Sequence, residues 1–318
     1  MKTIEWGVLI VNYLFLGGLS AGFFFVSALA TFLYKHDEPS PYTRIARLGA
    51  FLAPWPVMIG CLLLIFDLGR WYRFWKLFAH LRLVSPMSIG SWLLVFFNIV
   101  ALLNCYAWLT ERQRNDMFAG LPRSLTFLGR LNYDLDHWRR RLAIVGLPVS
   151  VGVGIYTGVL LGAVQSRPFW NTNLVAQLFL FSALSTGCAG LILALAGRNE
   201  SAQELRLLYG LDICFMVLEF FIVLPYIIHG QLSVQAVQDS LELILEGPFT
   251  ILFWVFFLGL GLLVPLSVEV RELVPVLVSN REFHYRRGLA SGSAILILGG
   301  GFLLRYIFVF AGQMSVFK

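Results

Sequence analysis

Seven residues separate Asp212 from Glu219, and seven more separate Glu219 from Tyr226. Seven residues is almost two helical turns, so the three side chains share one helix face. Fourteen residues at 1.5 Å each carry that face across ~21 Å, most of a bilayer core. The surrounding sequence is apolar. A carboxyl at that depth is costly when charged and exposed to lipid. The spacing therefore points to a proton relay or a buried ion pair. A protonated Glu219 hydrogen-bonded to a neighbouring helix is the alternative.

Other polar residues sit in similar surroundings. Arg305, in "LLRYIFVFAGQ", calls for a partner at its own depth. Asp67 ends another apolar run at a comparable depth and is one candidate partner on depth alone, with snorkelling to the interface as the alternative. Asn12 lies near the start of the first apolar run, where its amide suits a carbonyl head group. Tyr156, in "GIYTGVLLG", occupies a similar level, and its hydroxyl needs a partner if buried. After Leu68 the chain interleaves Arg70, Arg73, Lys76 and Arg82 with Trp, Tyr and Phe. Such a cluster suits an interfacial helix. It also suits docking of a partner through complementary charge, or drawing a developing anion toward the surface.

Several chemistries lack their residues. Axial haem ligation needs His within helices, but His36, His80, His137, His229 and His284 fall in loops or at span ends. No haem and no iron–sulfur cluster is expected in this chain. Cys61, Cys105, Cys188 and Cys214 form no C-x-x-C pair and read as inert core residues. No Walker A motif is present, and the "GLG" at 259–261 follows no strand. No metal site is expected.

The elements that must position these residues are membrane helices. The chain is 58% hydrophobic and 13% charged, with mean hydropathy +0.77; soluble domains are about a quarter charged. The net charge of +6 thus belongs to loops rather than to a nucleic-acid surface. A bilayer core needs about 20 apolar residues per helix. Eight spans are expected, at residues 8–34, 44–67, 89–110, 141–163, 173–196, 207–229, 249–270 and 289–311. They form one all-α bundle, a single integral membrane domain over 1–318. The first run is too long for a signal-peptide core of roughly 7–15 residues and is read as a retained span. Gly18 with Gly22, and Gly154 with Gly158 and Gly162, mark faces where helices approach closely. Residues 231–246 read as a short amphipathic segment.

Loop charge sets the expected orientation. Loops after spans 1, 3, 5 and 7 carry 16 Lys and Arg, against 8 on the other side. The positive-inside rule then places the first set in the cytoplasm and both termini in the periplasm. No outer loop is long enough to fold as a domain, so large catalytic machinery must lie in another subunit.

The segments "YLFLGGLSAG" (13–22), "LLIFDLGRWYRFWKLFAHLRLVSPMSIGSW" (63–92), "YTGVLLGAVQSRPFWN" (156–171), "LFLFSALSTG" (178–187), "LGLLVPL" (260–266) and "LLRYIFVFAGQ" (303–313) together resemble the NrfD/PsrC membrane subunits. These are quinone-binding anchors of nitrite and polysulfide reductase systems. The resemblance implies a bacterial inner-membrane subunit without a redox cofactor of its own. It implies menaquinone or ubiquinone bound near the outer face. There the quinone exchanges electrons with an iron–sulfur, ferredoxin-like subunit, completed by a molybdopterin enzyme or a multihaem cytochrome c. Asn12 and Tyr156 stand where the family contacts quinone, and Asp67 and Arg70 stand in its adjoining loop. The chain departs from the pattern at Trp71, where many relatives have Pro. On this reading Asp67 accepts a proton from quinol, or Asp212 and Glu219 supply a cytoplasmic path. A proton-coupled transporter and a passive membrane anchor are the rival readings.

Overall fold

The computed structural model describes residues 6–33, 40–67, 72, 82, 85–118, 135–197, 202–279, 283 and 285–315. Arg70, Arg73, Lys76 and Trp71 lie outside the described residues, as does most of the expected interfacial helix after Leu68. Among the described residues, eight helices are long and apolar enough to cross a membrane: α1 (Val8–Leu33), α2 (Pro41–Asp67), α3 (Pro86–Ala107), α4 (Leu135–Gly162), α5 (Leu174–Ala196), α6 (Ala202–Gln231), α7 (Leu252–Val278) and α8 (Arg287–Met314). Among the described residues there is no strand. The architecture is an all-α, multi-span membrane protein, as hydropathy requires.

The span ends differ modestly from expectation. The largest difference is α7, which runs eight residues further than the apolar run suggests, takes Glu272 into its length and leaves Glu269 well inside its end. A short helix, Gln235–Leu245, follows α6 where the amphipathic segment was expected, and it buries Ser240, Leu241 and Ile244.

The helices α1 and α5 occupy the interior. Of their apolar windows 61% and 72% is buried, against 33% for α2, α3 and α6, which present their outer faces at the perimeter. The helix α1 packs against α2, α4, α5 and α8, whereas α5 also packs against α4, α6 and α8. Lipid tails are as apolar as Leu, so membrane helices associate by close packing rather than by escape from water. The α1–α5 contact shows this. A Cβ on Gly22 would sit 2.2 Å from the Ala183 carbonyl oxygen, and one on Gly187 would sit 2.4 Å from the Gly22 carbonyl carbon. The two backbones touch, and only glycine fits on either side.

Prolines break the ladder of α2, and serines of α1 bond to its backbone around the break. Pro54 has no N–H to donate, and α2 divides there into Pro41–Leu52 and Pro54–Asp67. Ser20 Oγ donates to the Ala53 carbonyl at the break, and Ser27 Oγ donates to the Ala46 carbonyl at 2.7 Å about two turns before it.

An even number of spans brings the two ends of the chain to one face. The Gln313 amide accepts from the Trp6 N–H at 2.8 Å and donates to the Trp6 carbonyl at 2.9 Å. Trp6 stacks on Trp170 at 5.2 Å, and Arg167 donates to the Gln313 and Ser315 carbonyls. The turn between α4 and α5 thus caps the same end as both termini.

Candidate functional site

An apolar cavity of about 450 Å³ lies between α2, α3 and α4. Its walls are mostly aliphatic: Leu62 and Ile65 from α2, Leu94 and Val95 from α3, and Leu160 from α4. Met58, Leu62, Met87, Ile99 and Leu102 line it and are also exposed on the flank of the bundle. The cavity therefore opens sideways, toward the hydrocarbon, and an apolar molecule enters it without crossing water.

Polar groups in the cavity are few. Tyr156 projects from α4, 8% exposed. Its hydroxyl lies beside the Tyr13 hydroxyl and the Cys61 thiol, although the buried Tyr13 hydroxyl meets hydrogen-bond geometry with no partner. Ser91 donates to the Ser88 carbonyl and Asn98 donates to the Leu94 carbonyl, at 3.0 and 2.9 Å. The amide oxygen of Asn98 is buried with no partner. Cys61, Ser91 and Tyr156 each stand five or six residues from the termini-side end of their helix, whereas Asn98 stands about a further 10 Å down, at mid-depth. The cavity thus has a polar end toward the termini face and one acceptor lower down.

Two glycines give the tyrosines their places. A Cβ on Gly90 would fall 1.7 Å from Tyr156 Cζ, so the ring lies directly over the α3 backbone. A Cβ on Gly60 would meet Tyr13 Cδ2 at 3.4 Å, so the Tyr13 ring packs on the α2 backbone.

The expected site residues separate into groups. Tyr156 is in the cavity. Asn12 is not among its lining residues; it is half-buried and donates to the Val8 carbonyl of its own helix at 2.8 Å. Asp67 ends α2, two residues beyond the lining residue Ile65, and is partly exposed. Tyr13, Cys61 and Asn98 were missed as site residues. Tyr13 is the direct neighbour of Asn12, but consecutive residues point about 100° apart on a helix.

The second group is remote from the cavity. Asp212, Glu219 and Tyr226 all lie on the buried face of α6, as their spacing requires. Asp212 accepts from Ser185 Oγ at 2.6 Å, and the Tyr226 hydroxyl donates to the Phe169 carbonyl at 3.1 Å. Glu219 sits beside Ser182 and faces Arg305.

Arg305 corrects one expectation. It is fully buried and donates to Ser182 Oγ and the Gly301 carbonyl at 2.7 Å, and to the Phe179 carbonyl at 3.2 Å. Its guanidinium lies 5.3 Å from the Phe179 ring centroid. Asp67 is not its partner; Glu219 is the carboxyl beside it. Depth matched Asp67 to Arg305, but α8 packs on α1, α5 and α7, whereas the half of α2 that ends in Asp67 packs on α1 and α3. Equal depth does not make two helices neighbours.

The fold and cavity define a class: an eight-span membrane protein with a lipid-accessible pocket and a separate buried polar core. The family model described as "Polysulphide reductase, NrfD" matches residues 1–317. The chain belongs to this family of membrane subunits of reductase complexes. The C subunit of polysulfide reductase from Wolinella succinogenes is 32% identical over 323 residues, covering 99% of this chain and 96% of that protein. Protein NrfD of Escherichia coli is 32% identical over 322 residues, covering 99% and 97%. A more distant relative, the Hdr-like menaquinol oxidoreductase integral membrane subunit of Archaeoglobus fulgidus, is 24% identical over 326 residues, covering 98% and 72%.

Proposed function

We propose that this chain is the quinone-exchanging membrane subunit of a reductase complex and that quinol or quinone occupies the cavity between α2, α3 and α4. The observation that carries this reading is the cavity itself. It opens to the hydrocarbon, is almost wholly apolar, and presents a tyrosine hydroxyl at one end. Its volume suits a ring with part of an isoprenoid tail. Menaquinone and ubiquinone both fit this description. A quinol supplies two electrons and two protons.

The chain's own residues hold and orient that head group. Tyr156 donates a hydrogen bond to a carbonyl, or accepts one from a hydroxyl, and Tyr13 stands behind it to take or return a proton. Gly90 and Gly60 fix both rings. Asn98 offers an acceptor deeper in the cavity. Aliphatic walls exclude water, so a hydrogen bond at Tyr156 meets little competition from solvent. Asp67, two residues beyond the cavity wall on the same helix, is the nearest of the expected carboxylates and is the proposed proton acceptor. Arg70 follows it in the proposed docking segment.

The electrons leave through a partner. An iron–sulfur, ferredoxin-like subunit on the termini face is the proposed carrier, with a molybdopterin enzyme or a multihaem cytochrome c beyond it. Names of relatives support the setting: polysulfide reductase, and a menaquinol oxidoreductase integral membrane subunit. The proposed location is the bacterial inner membrane, and the loop charges support periplasmic termini.

The test is a quinol-binding titration on the intact complex in liposomes, comparing wild type with Tyr156→Phe. Wild type should bind a short-tailed quinol analogue and oxidise it, and the variant should assemble normally but turn over slowly. Normal turnover in the variant would leave a passive anchor as the better reading.

A further inference from the structure

The expected relay Asp212–Glu219–Tyr226 has no entry point on α6 alone, and the fold supplies one from α7. Glu269 is fully buried, accepts from Ser293 Oγ of α8 at 3.2 Å, and lies in the electrostatic neighbourhood of Asp212. Each carboxyl has one oxygen satisfied by a serine and one, Asp212 Oδ2 and Glu269 Oε2, buried without any partner. Glu204 provides a contrast. It is also buried, but Arg44 stands 3.4 Å away. Neither Asp212 nor Glu269 makes an ion pair among the described residues. Two buried carboxylates that sense each other's charge would repel and forfeit their hydration, and protonation removes both costs.

An independent observation points along the same line. The Tyr209 hydroxyl is buried, has no hydrogen-bond partner, and stands among Glu272, Glu269 and Asp212. Glu272 also has a buried, unpartnered oxygen. Counted from the helix ends opposite the termini, Glu272 and Tyr209 lie one to two turns in, and Glu269 and Asp212 lie nearer three. Asp212 then faces Glu219. Arg305 stands beyond Glu219 as a fixed positive charge. The other neighbours, Cys188 and Cys214, are free cysteines and bring no cation.

We infer that Asp212 and Glu269 form a proton-binding pair, loaded from the face opposite the termini past Glu272 and Tyr209 and bounded on the far side by Glu219 and Arg305. The pair holds an exchangeable proton. It does not depend on the quinone reading, because no member lines the apolar cavity.

Infrared difference spectroscopy on the intact complex in lipid tests this at neutral pH. Wild type should show a protonated-carboxyl C=O band that moves on transfer to D₂O. Asp212→Asn and Glu269→Gln, which keep side-chain size, should each remove intensity from it. Tyr209→Phe and Glu272→Gln should keep the band and slow its deuterium shift at least about tenfold. A band unchanged in both carboxyl variants overturns the pair. Unaltered exchange in both Tyr209→Phe and Glu272→Gln overturns the route. Failure of quinol-analogue binding in wild type would sink the quinone reading and leave the band untouched.

Discussion

The α2–α3–α4 flank and the α5–α8 core treat polar groups in opposite ways. In the flank, polar atoms are sparse and stand at the wall of an open apolar space: Tyr156, with the buried Tyr13 of α1 behind it, and Asn98. In the core, ionisable side chains are gathered inside close-packed helices with serines to receive them: Asp212 with Ser185, Glu269 with Ser293, and Arg305 with Ser182. The flank has room for a molecule as large as a quinone ring. The core has room for protons. On the proposed reading a quinol-exchanging subunit has to deal with both, and the two tasks would occupy different helices.

The sharpest way to break this comparison is at Tyr156. On the proposed reading Tyr156→Phe removes the hydroxyl that faces the quinol, so quinol-dependent turnover should fall about 10²–10⁴-fold. The amount of assembled complex and its thermal unfolding should not change. A variant that unfolds instead would show the flank to be structural.

Arg305→Met attacks the other region and should do the reverse. Removing one partner of a buried pair typically costs about 3–5 kcal/mol. The variant strands Glu219, and it also strips a donor from Ser182 and the Gly301 and Phe179 carbonyls. Thermal unfolding in detergent should show the loss, and adding Glu219→Gln should restore much of it. An unchanged melting curve would mean that the core polar groups do not hold the fold.

Gly90→Ala sharpens the flank. Its methyl group would occupy space filled by the Tyr156 ring, and a misplacement of about 1 Å can cost 10²-fold. Turnover should drop toward that value with the Tyr156 hydroxyl chemically intact. The Gly90→Ala/Tyr156→Phe double variant should be no worse than Tyr156→Phe alone.

The smallest effect belongs to Asn12→Ala. Asn12 bonds only within its own helix, so stability should move by less than about 0.5 kcal/mol. Quinol turnover should stay within about twofold. A large loss would move the head group from Tyr156 and Tyr13 toward the surface of α1.

The candidate site was partly legible. The spacing of Asp212, Glu219 and Tyr226 announced a buried face, since helical periodicity is local. Tyr156 stood out as a hydroxyl within an otherwise apolar span. Tyr13 did not, because nothing in the sequence says which of two adjacent polar residues turns toward α2. Glu269 was hidden for another reason. The apolar run ends near it, and hydropathy alone leaves it at a boundary, whereas α7 carries it about three turns inside the helix end.

Length and apolar composition settled the eight spans, the all-helical class and the face of α6 that is buried, because hydrocarbon leaves a chain no other way to satisfy its backbone. They also settled that Arg305 needs company. Only the packed structure decided which company: Glu219 and Ser182 rather than Asp67, and Tyr13 rather than Asn12 beside Tyr156. Depth and periodicity are properties of one helix, whereas a site is a property of several. Which helices become neighbours depends on where their backbones can touch, as Gly22 and Gly187 do.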